Sequence, residues 1–242
     1  MFTNEIHQEI IAHALAEYPK EACGIVLDNG TSYLPMRNVH ENPKMNFRMN
    51  VPDFLPYYQQ DRISALIHSH TANYNNYPSR QDMIAQENMG IPWGIVHINE
   101  NKDIDGPFYF GDQLPIADFI GRKFRDNVHD CYILLRDIFR LEENVVLPCF
   151  AREPQWEKNY QNMLEKNFKK AGFVQIDETQ IGKNCVMLCR INSPSDNPVP
   201  NHVAIIRDRG QIIHHIRGRL SRHDPYNLYR STATHYLKYT GA

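Results

Sequence analysis

His68 and His70 stand two residues apart at the end of the apolar run Leu66-Ile67. Alternate side chains of a strand share a face, so both imidazoles point the same way. After a loop comes Ser79-Arg80-Gln81-Asp82. A helix beginning at Ser79 puts Asp82 in its first turn, from which the carboxylate can swing back toward the histidines. Two imidazole nitrogens and one carboxylate oxygen leave a position open for water, which is how a catalytic zinc is held. Chemistry at such a water needs a base beside it. Glu21, in Pro19-Lys20-Glu21-Ala22-Cys23-Gly24 between a helix and a strand, is a candidate. Each piece also has a plainer reading: a histidine pair in a strand is ordinary, and Ser-x-x-Asp is a capping-box variant. Their combination points to a metal.

A second constellation lies further on. Cys131 heads the run Cys131-Tyr132-Ile133-Leu134-Leu135, which reads as the start of a buried helix. A helix N-terminus favours the thiolate, although an isolated cysteine is usually a small buried hydrophobe. A nucleophile needs a base. His202 opens the strand Asn201–Arg207, and the return strand after Asp208-Arg209-Gly210 carries His214 and His215. A three-residue loop ending in Gly is a favoured hairpin form. It pairs Arg207 with Gln211 and Ala204 with His214, which makes His202 and His214 diagonal neighbours on one face. A two-residue loop would instead put His215 opposite His202. Cys149 has no base nearby in sequence and reads as structural. Cys185 and Cys189, four apart on a strand, read as core.

Glu21, His68-Ser69-His70 and Ser79-x-x-Asp82 together resemble the signature of the JAMM (Mov34/MPN) metalloproteases. The resemblance implies zinc on His68, His70 and Asp82, Glu21 as general acid and base, and Ser79 steadying the oxyanion. The loop from His70 to Ser79 is one residue longer than the family pattern, and Thr71 stands where a proline is usual. His129-Asp130-Cys131-Tyr132 and His202-Val203-Ala204-Ile205-Ile206 resemble the NlpC/P60 cysteine peptidases, over roughly residues 113–242. That resemblance implies a papain-like fold, Cys131 as nucleophile, His202 as base, His214 orienting the base, and the peptide stems of peptidoglycan as substrate. A family tyrosine ahead of the nucleophile is replaced by Phe119, which cannot donate a hydrogen bond. The two signatures in this order are similar to the tail assembly protein K family of lambda-type phages. The similarity implies work at the tail tip, in its assembly or in opening the cell wall. It also implies other phage tail-tip proteins as partners, and the host cytoplasm during assembly and the virion tail tip as locations. The alternative is a structural tail-tip component with one or both sites vestigial, toward which the longer loop and Phe119 lean.

The remaining sequence sets bounds. A chain of 242 residues holds one large domain or two small ones. A net charge of −2 gives no electrostatic reason to expect nucleic acid. No apolar run is long enough to span a bilayer, and the beginning of the chain lacks the basic-then-apolar pattern of a signal peptide. Five cysteines without scaffold spacing suit a reducing compartment.

The elements that must position these residues follow from periodicity and turn residues. A helix capped by Thr3 or Asn4 presents Ile6, Ile10, Ile11, Ala14 and Leu15. Strands are expected over 22–27, 31–35, 62–70 and 93–98, with helices from Pro52 and over 80–89. In the second half, helices are expected over 131–140 and 155–171. Strands follow over 185–191, 202–207 and 211–216, with a Pro-rich loop over 193–200. The expected class is α+β in two domains: residues 1–112, an MPN/JAMM-like mixed α/β domain, and residues 113–242, a papain-like NlpC/P60 domain.

Overall fold

The computed structural model describes residues 2–71, 76–153, 156, 162–193 and 197–241. It divides into two compact units, Met1–Pro115 and Ile116–Ala242.

In the first unit, the Thr3 hydroxyl oxygen accepts the N–H of Ile6 and starts α1 (Asn4–Glu17), as an N-cap oxygen should. The buried stripe of α1 is Ile6, Ile10 and Ala14. Leu15, expected on that stripe, is 36% exposed, because one residue beyond Ala14 is a rotation of about 100°. β1 (Cys23–Leu27) and β2 (Ser32–Met36) form a hairpin. Its turn runs through Asp28, Asn29 and Gly30, all at positive φ, where these types pay the least. After an irregular stretch comes α2 (Val51–Gln59), which buries no side chain. β3 (Ile63–His70), α3 (Arg80–Met89), β4 (Trp93–Ile98) and β5 (Ile104–Phe110) complete the unit.

The sheet runs β2-β1-β3-β4-β5, with β3 and β4 parallel and the other pairs antiparallel. Sequence patterning does not anticipate β5, an edge strand broken by Gly106-Pro107 and mostly half-buried. On one side of the sheet, Val26, Ala65, Ile67, Val96 and Ile98 pack with Ile6, Ile10 and Ala14 of α1. Ala65 and Ile67 are the odd positions of β3. The even positions, His68 and His70 among them, therefore project from the other side.

In the second unit, α4 (Cys131–Ile138) is followed by a wider turn to Glu143. Of the helix expected over 155–171, residues 155 and 157–161 lie outside the described residues. The described part is α5 (Met163–Asn167), after which the chain turns. Six strands follow: β6 (Phe173–Ile176), β7 (Val186–Cys189), β8 (His202–Arg207), β9 (Gln211–His214), β10 (Arg222–Pro225) and β11 (Ala233–Tyr239). Their order is β10-β9-β8-β7-β11-β6, every pair antiparallel. The expected strands over 185–191 and 211–216 are shorter than predicted. β6, β10 and β11 are short or mixed in polarity and carry no clear strand pattern in the sequence. The Pro-rich loop over 193–200 is described except at residues 194–196.

Alternation along β7 and β8 splits the core into two layers. Val186, Leu188, Val203 and Ile205 pack with Leu134 and Ile138 of α4. Met187, Cys189, Ala204 and Ile206 pack on the other side with Cys185 and Ile212. Helices set against largely antiparallel sheets make the chain α+β. No helix among the described residues is long and apolar enough to cross a membrane.

Candidate metal centre and candidate cysteine site

The last two turns of pleat on β3 bring His68 and His70 to the same side, 1% and 3% exposed. Their Nε2 atoms face each other at 3.1 Å. Asp82 closes the group, with Oδ1 at 3.4 Å from Nε2 of His68 and Oδ2 at 3.3 Å from Nε2 of His70. Asp82 is held there by a reciprocal cap at the start of α3: Ser79 N–H donates to its Oδ2 at 2.7 Å, and its own N–H donates to Ser79 Oγ at 3.1 Å. The capping reading and the metal reading of Ser79-x-x-Asp82 are therefore compatible, since the cap is what aims the carboxylate.

Phe47 stacks on His68 with ring centroids 4.4 Å apart, and Trp93 meets it edge-on at 5.6 Å. His68 Nδ1 is buried without a hydrogen-bond partner among the described residues, so ring packing fixes this imidazole. Burial lowers the His68 pKa, against the pull of Asp82. Burial would raise Asp82, but the two histidines outweigh it and hold the carboxyl well below its ordinary range. An ionised carboxylate beside a neutral imidazole is a ligand set. The three donor atoms lie within 4.8 Å of one another, which fits zinc with a further position open.

Glu21 is 3% exposed. Burial pushes its carboxyl up to about 7; nearby His70 draws it down and Asp82 pushes it further up. Two residues that the motif reading passes over hold it in place. Ser69, between the two histidines but on the opposite side of the strand, accepts the Ala22 N–H on Oγ at 2.8 Å. The Ser69 N–H donates to the Ala22 carbonyl at 2.9 Å. Asn38 donates to the Glu21 carbonyl at 2.9 Å, while its Oδ1 accepts from His40 N and Arg48 N. Ser69 was visible as the centre of His-Ser-His. Nothing in the sequence marks Asn38.

In the second unit, Asp130 caps α4. Its Oδ1 accepts the N–H groups of Tyr132 and Ile133 at 3.0 and 2.9 Å, and its Oδ2 accepts Asn127 N–H at 3.0 Å and pairs with the buried Arg152. Burial would raise Asp130, but Arg152 and the backbone donors hold it low. Cys131 is thereby set as the first residue of α4. It lines a cavity of about 410 Å³ together with Asp130, Arg152, Asn201, His202 and His215.

The hairpin pairs Arg207 with Gln211 and Ala204 with His214. His202 Nε2 and His214 Nδ1 are 3.2 Å apart, with the rings edge-on at 5.2 Å. On its far side, His214 Nε2 is 3.0 Å from Asp224 Oδ2. Burial drives the His202 pKa well down and lowers His214 against the opposing pull of Asp224. His215 lines the cavity and meets Phe124 edge-on at 5.1 Å. Burial takes its pKa to about 4. No local signal in the sequence marks Asp224. It sits on β10, which is short and mostly exposed, and only the pairing of β10 with β9, His214 opposite Arg222, brings it alongside. Phe119 packs against the core near Arg122, whose guanidinium lies 5.6 Å from the ring centroid.

Comparison with known proteins gives the class first. Residues 3–105 match the model for prokaryotic homologs of the JAB domain. Over 189 residues the chain is 32% identical to tail tip assembly protein K of Escherichia phage lambda, covering 78% of this chain and 87% of that protein. It is 29% identical over 225 residues to tail tip assembly protein K of Escherichia phage N15, covering 91% and 88%. The chain belongs to the tail tip assembly protein K family. A crystal structure of an NlpC/P60 family protein from Bacillus cereus ATCC 10987 aligns along 99% of this chain and 67% of that one, at 12% identity and a TM-score of 0.38.

Proposed function

We propose that the chain is a phage tail-tip protein with two hydrolase sites, a zinc peptidase or isopeptidase in residues 1–112 and a cysteine endopeptidase of peptidoglycan stems in residues 113–242. The observation that carries the first site is the convergence of His68, His70 and Asp82 from β3 and α3 on one buried point. Zinc bound there supplies a Lewis acid and a water acidic enough to act as a nucleophile near neutral pH. Glu21 takes a proton on its carboxyl and returns it to the leaving amine. The Ser79 hydroxyl, which accepts from Asp82 N–H, keeps its own proton to donate to the developing oxyanion.

At the second site, Cys131 Sγ attacks the scissile carbonyl and its proton passes to His202. The C–N bond breaks, the amine leaves with that proton, and a thioester remains on Cys131. Water, deprotonated by His202, then cleaves the thioester and regenerates the thiol. His214 holds the base in register. The partners are other tail-tip proteins and the peptide stems of the cell wall. The chain works in the host cytoplasm during assembly and at the virion tail tip afterwards.

The competing reading is a structural tail-tip component with one or both sites vestigial. Phe119 favours it, because that ring has no hydroxyl to offer an oxyanion. Two measurements on purified protein separate the readings: zinc content of wild type and His68→Ala, and peptidoglycan digestion by wild type and Cys131→Ala. Zinc in the wild type alone and digestion by the wild type alone support two live sites. Equal zinc in both proteins removes the metal site. Equal digestion, or none in either, leaves the structural role.

A further inference from the structure

Beyond His214, the row of side chains that begins at His202 continues to one carboxylate oxygen. Asp224 Oδ2 is 3.0 Å from His214 Nε2, 3.0 and 2.9 Å from Nε and Nη2 of Arg222, and 3.0 Å from the Tyr229 hydroxyl. Tyr229 also meets the His214 ring edge-on, with centroids 4.7 Å apart. The guanidinium can only donate, and an ionised carboxylate can only accept. The proton between His214 and Asp224 therefore belongs to His214 Nε2.

A neutral imidazole carries one N–H, so Nδ1 of His214 must accept. Its neighbour at 3.2 Å is Nε2 of His202, which must then be the donor. That leaves Nδ1 as the one nitrogen of His202 with a lone pair to take a proton. The chain of acceptors and donors is forced from its far end.

We propose that Asp224 is a positioning residue of the cysteine site, which sets the proton of both His214 and His202 on Nε2 and so leaves His202 Nδ1 bare to serve as the base. This deepens the proposed peptidase and rests on Cys131 and His202 being its nucleophile and base. When His202 takes the thiol proton on Nδ1, its imidazolium is stabilised through His214 by the Asp224 charge, and Asp224 itself stays ionised. The fold supports the assignment: His214 is 1% exposed, so no water competes for its Nε2, and Arg222 and Tyr229 fix the carboxylate from the other directions.

The test uses the full chain and needs no substrate. Histidine ¹⁵N shifts separate protonated from bare ring nitrogens, and the rate of Cys131 alkylation by iodoacetamide reads the thiolate that His202 generates. The label is mapped to Cys131 by mass spectrometry, because Cys149 is also partly exposed. In wild type, Nε2 of both His202 and His214 should be protonated and both Nδ1 atoms bare. In Asp224→Ala the two tautomers should mix, and alkylation of Cys131 should fall, because only one of the two tautomers leaves His202 Nδ1 bare. Asp224→Asn, whose amide oxygen can still accept from Nε2, should restore the wild-type shifts and most of the rate. A proton on His202 Nδ1 in wild type overturns the proposal, as do unchanged shifts and rate in a folded Asp224→Ala. If Asp224→Ala does not fold, the wild type and Asp224→Asn decide: Asn spectra with His202 Nδ1 protonated count against it, and Nε2 protonated in both counts for it. Shifts and rates as expected, with no digestion of peptidoglycan, would sink the hydrolase reading and leave the relay standing.

Discussion

The Nε2 atoms of the buried His68 and His70 lie 3.1 Å apart. With one nitrogen protonated the pair shares a hydrogen bond; with both bare, two lone pairs repel. With both nitrogens bare, a divalent cation held by them and Asp82 turns that repulsion into ligation. The first unit should therefore bind zinc in a wild type prepared without chelator. A metal that binds only the folded state at a hundred times its dissociation constant adds about 2.7 kcal/mol. Removing zinc with a chelator should lower the unfolding midpoint of the first unit, and His70→Ala should abolish that difference. An identical melting curve with and without chelator would count against the site.

Ser69→Ala separates the support of the site from its ligands. The Oγ of Ser69 is the acceptor for a buried Ala22 N–H, and removing it strands that donor at a cost of about 1–3 kcal/mol. Because Ser69 projects away from the metal ligands, zinc stoichiometry should stay at the wild-type level. The first unit should unfold at lower urea with unchanged zinc per folded chain. Loss of zinc without loss of stability would mean that Ser69 is not the strut described above.

How much of this was legible in the sequence depended on how far the signal reached along the chain. α1, α3, α4 and the strand carrying His68 and His70 were visible because their periodicity and caps are local. The pairing of His214 with Ala204 was visible too, since a Gly-ended three-residue loop fixes its own register. What stayed hidden is non-local. β5 is an edge strand with a Gly-Pro interruption. β10 has four residues of mixed polarity that become a strand only because β9 is there to pair with. Asp224, Asn38 and Arg152 act through partners that only the folded chain supplies. Leu15 shows the same limit from the other side: an apolar residue next to a stripe need not be in it.

The second unit should lose stability as pH falls. Burial lowers His202, His214 and His215 in the folded chain, His215 to about 4. An unfolded chain takes up protons on these residues near pH 6.5, whereas the folded chain refuses them until lower pH. Each such histidine tilts the balance toward unfolding by up to about 1.4 kcal/mol per pH unit below about 6.5. Urea midpoints measured from pH 8 to 4.5 should be flat at the alkaline end and drop below about 6.5. His215→Leu should make the acid limb shallower. A flat profile down to pH 5 would show that these imidazoles protonate as readily in the folded chain as in the unfolded one.

Asp130→Asn should be the most damaging single change in the second unit outside its apolar core. Asp130 and Arg152 are 6% and 4% exposed, so the substitution leaves a guanidinium charge buried without its counter-ion. Breaking such a pair from one side costs about 3–5 kcal/mol. The carboxylate also caps α4 through Tyr132 and Ile133, and an amide keeps at most part of that role. Removing the stranded charge as well should recover stability: Asp130→Asn with Arg152→Met should be less destabilised than the two single changes added together. Urea unfolding of the four proteins measures this coupling directly. A loss below about 1 kcal/mol in Asp130→Asn, or simple additivity in the double variant, would mean that the pair does not hold Cys131 at the head of its helix. Alkylation of Cys131 should then be as fast in Asp130→Asn as in the wild type.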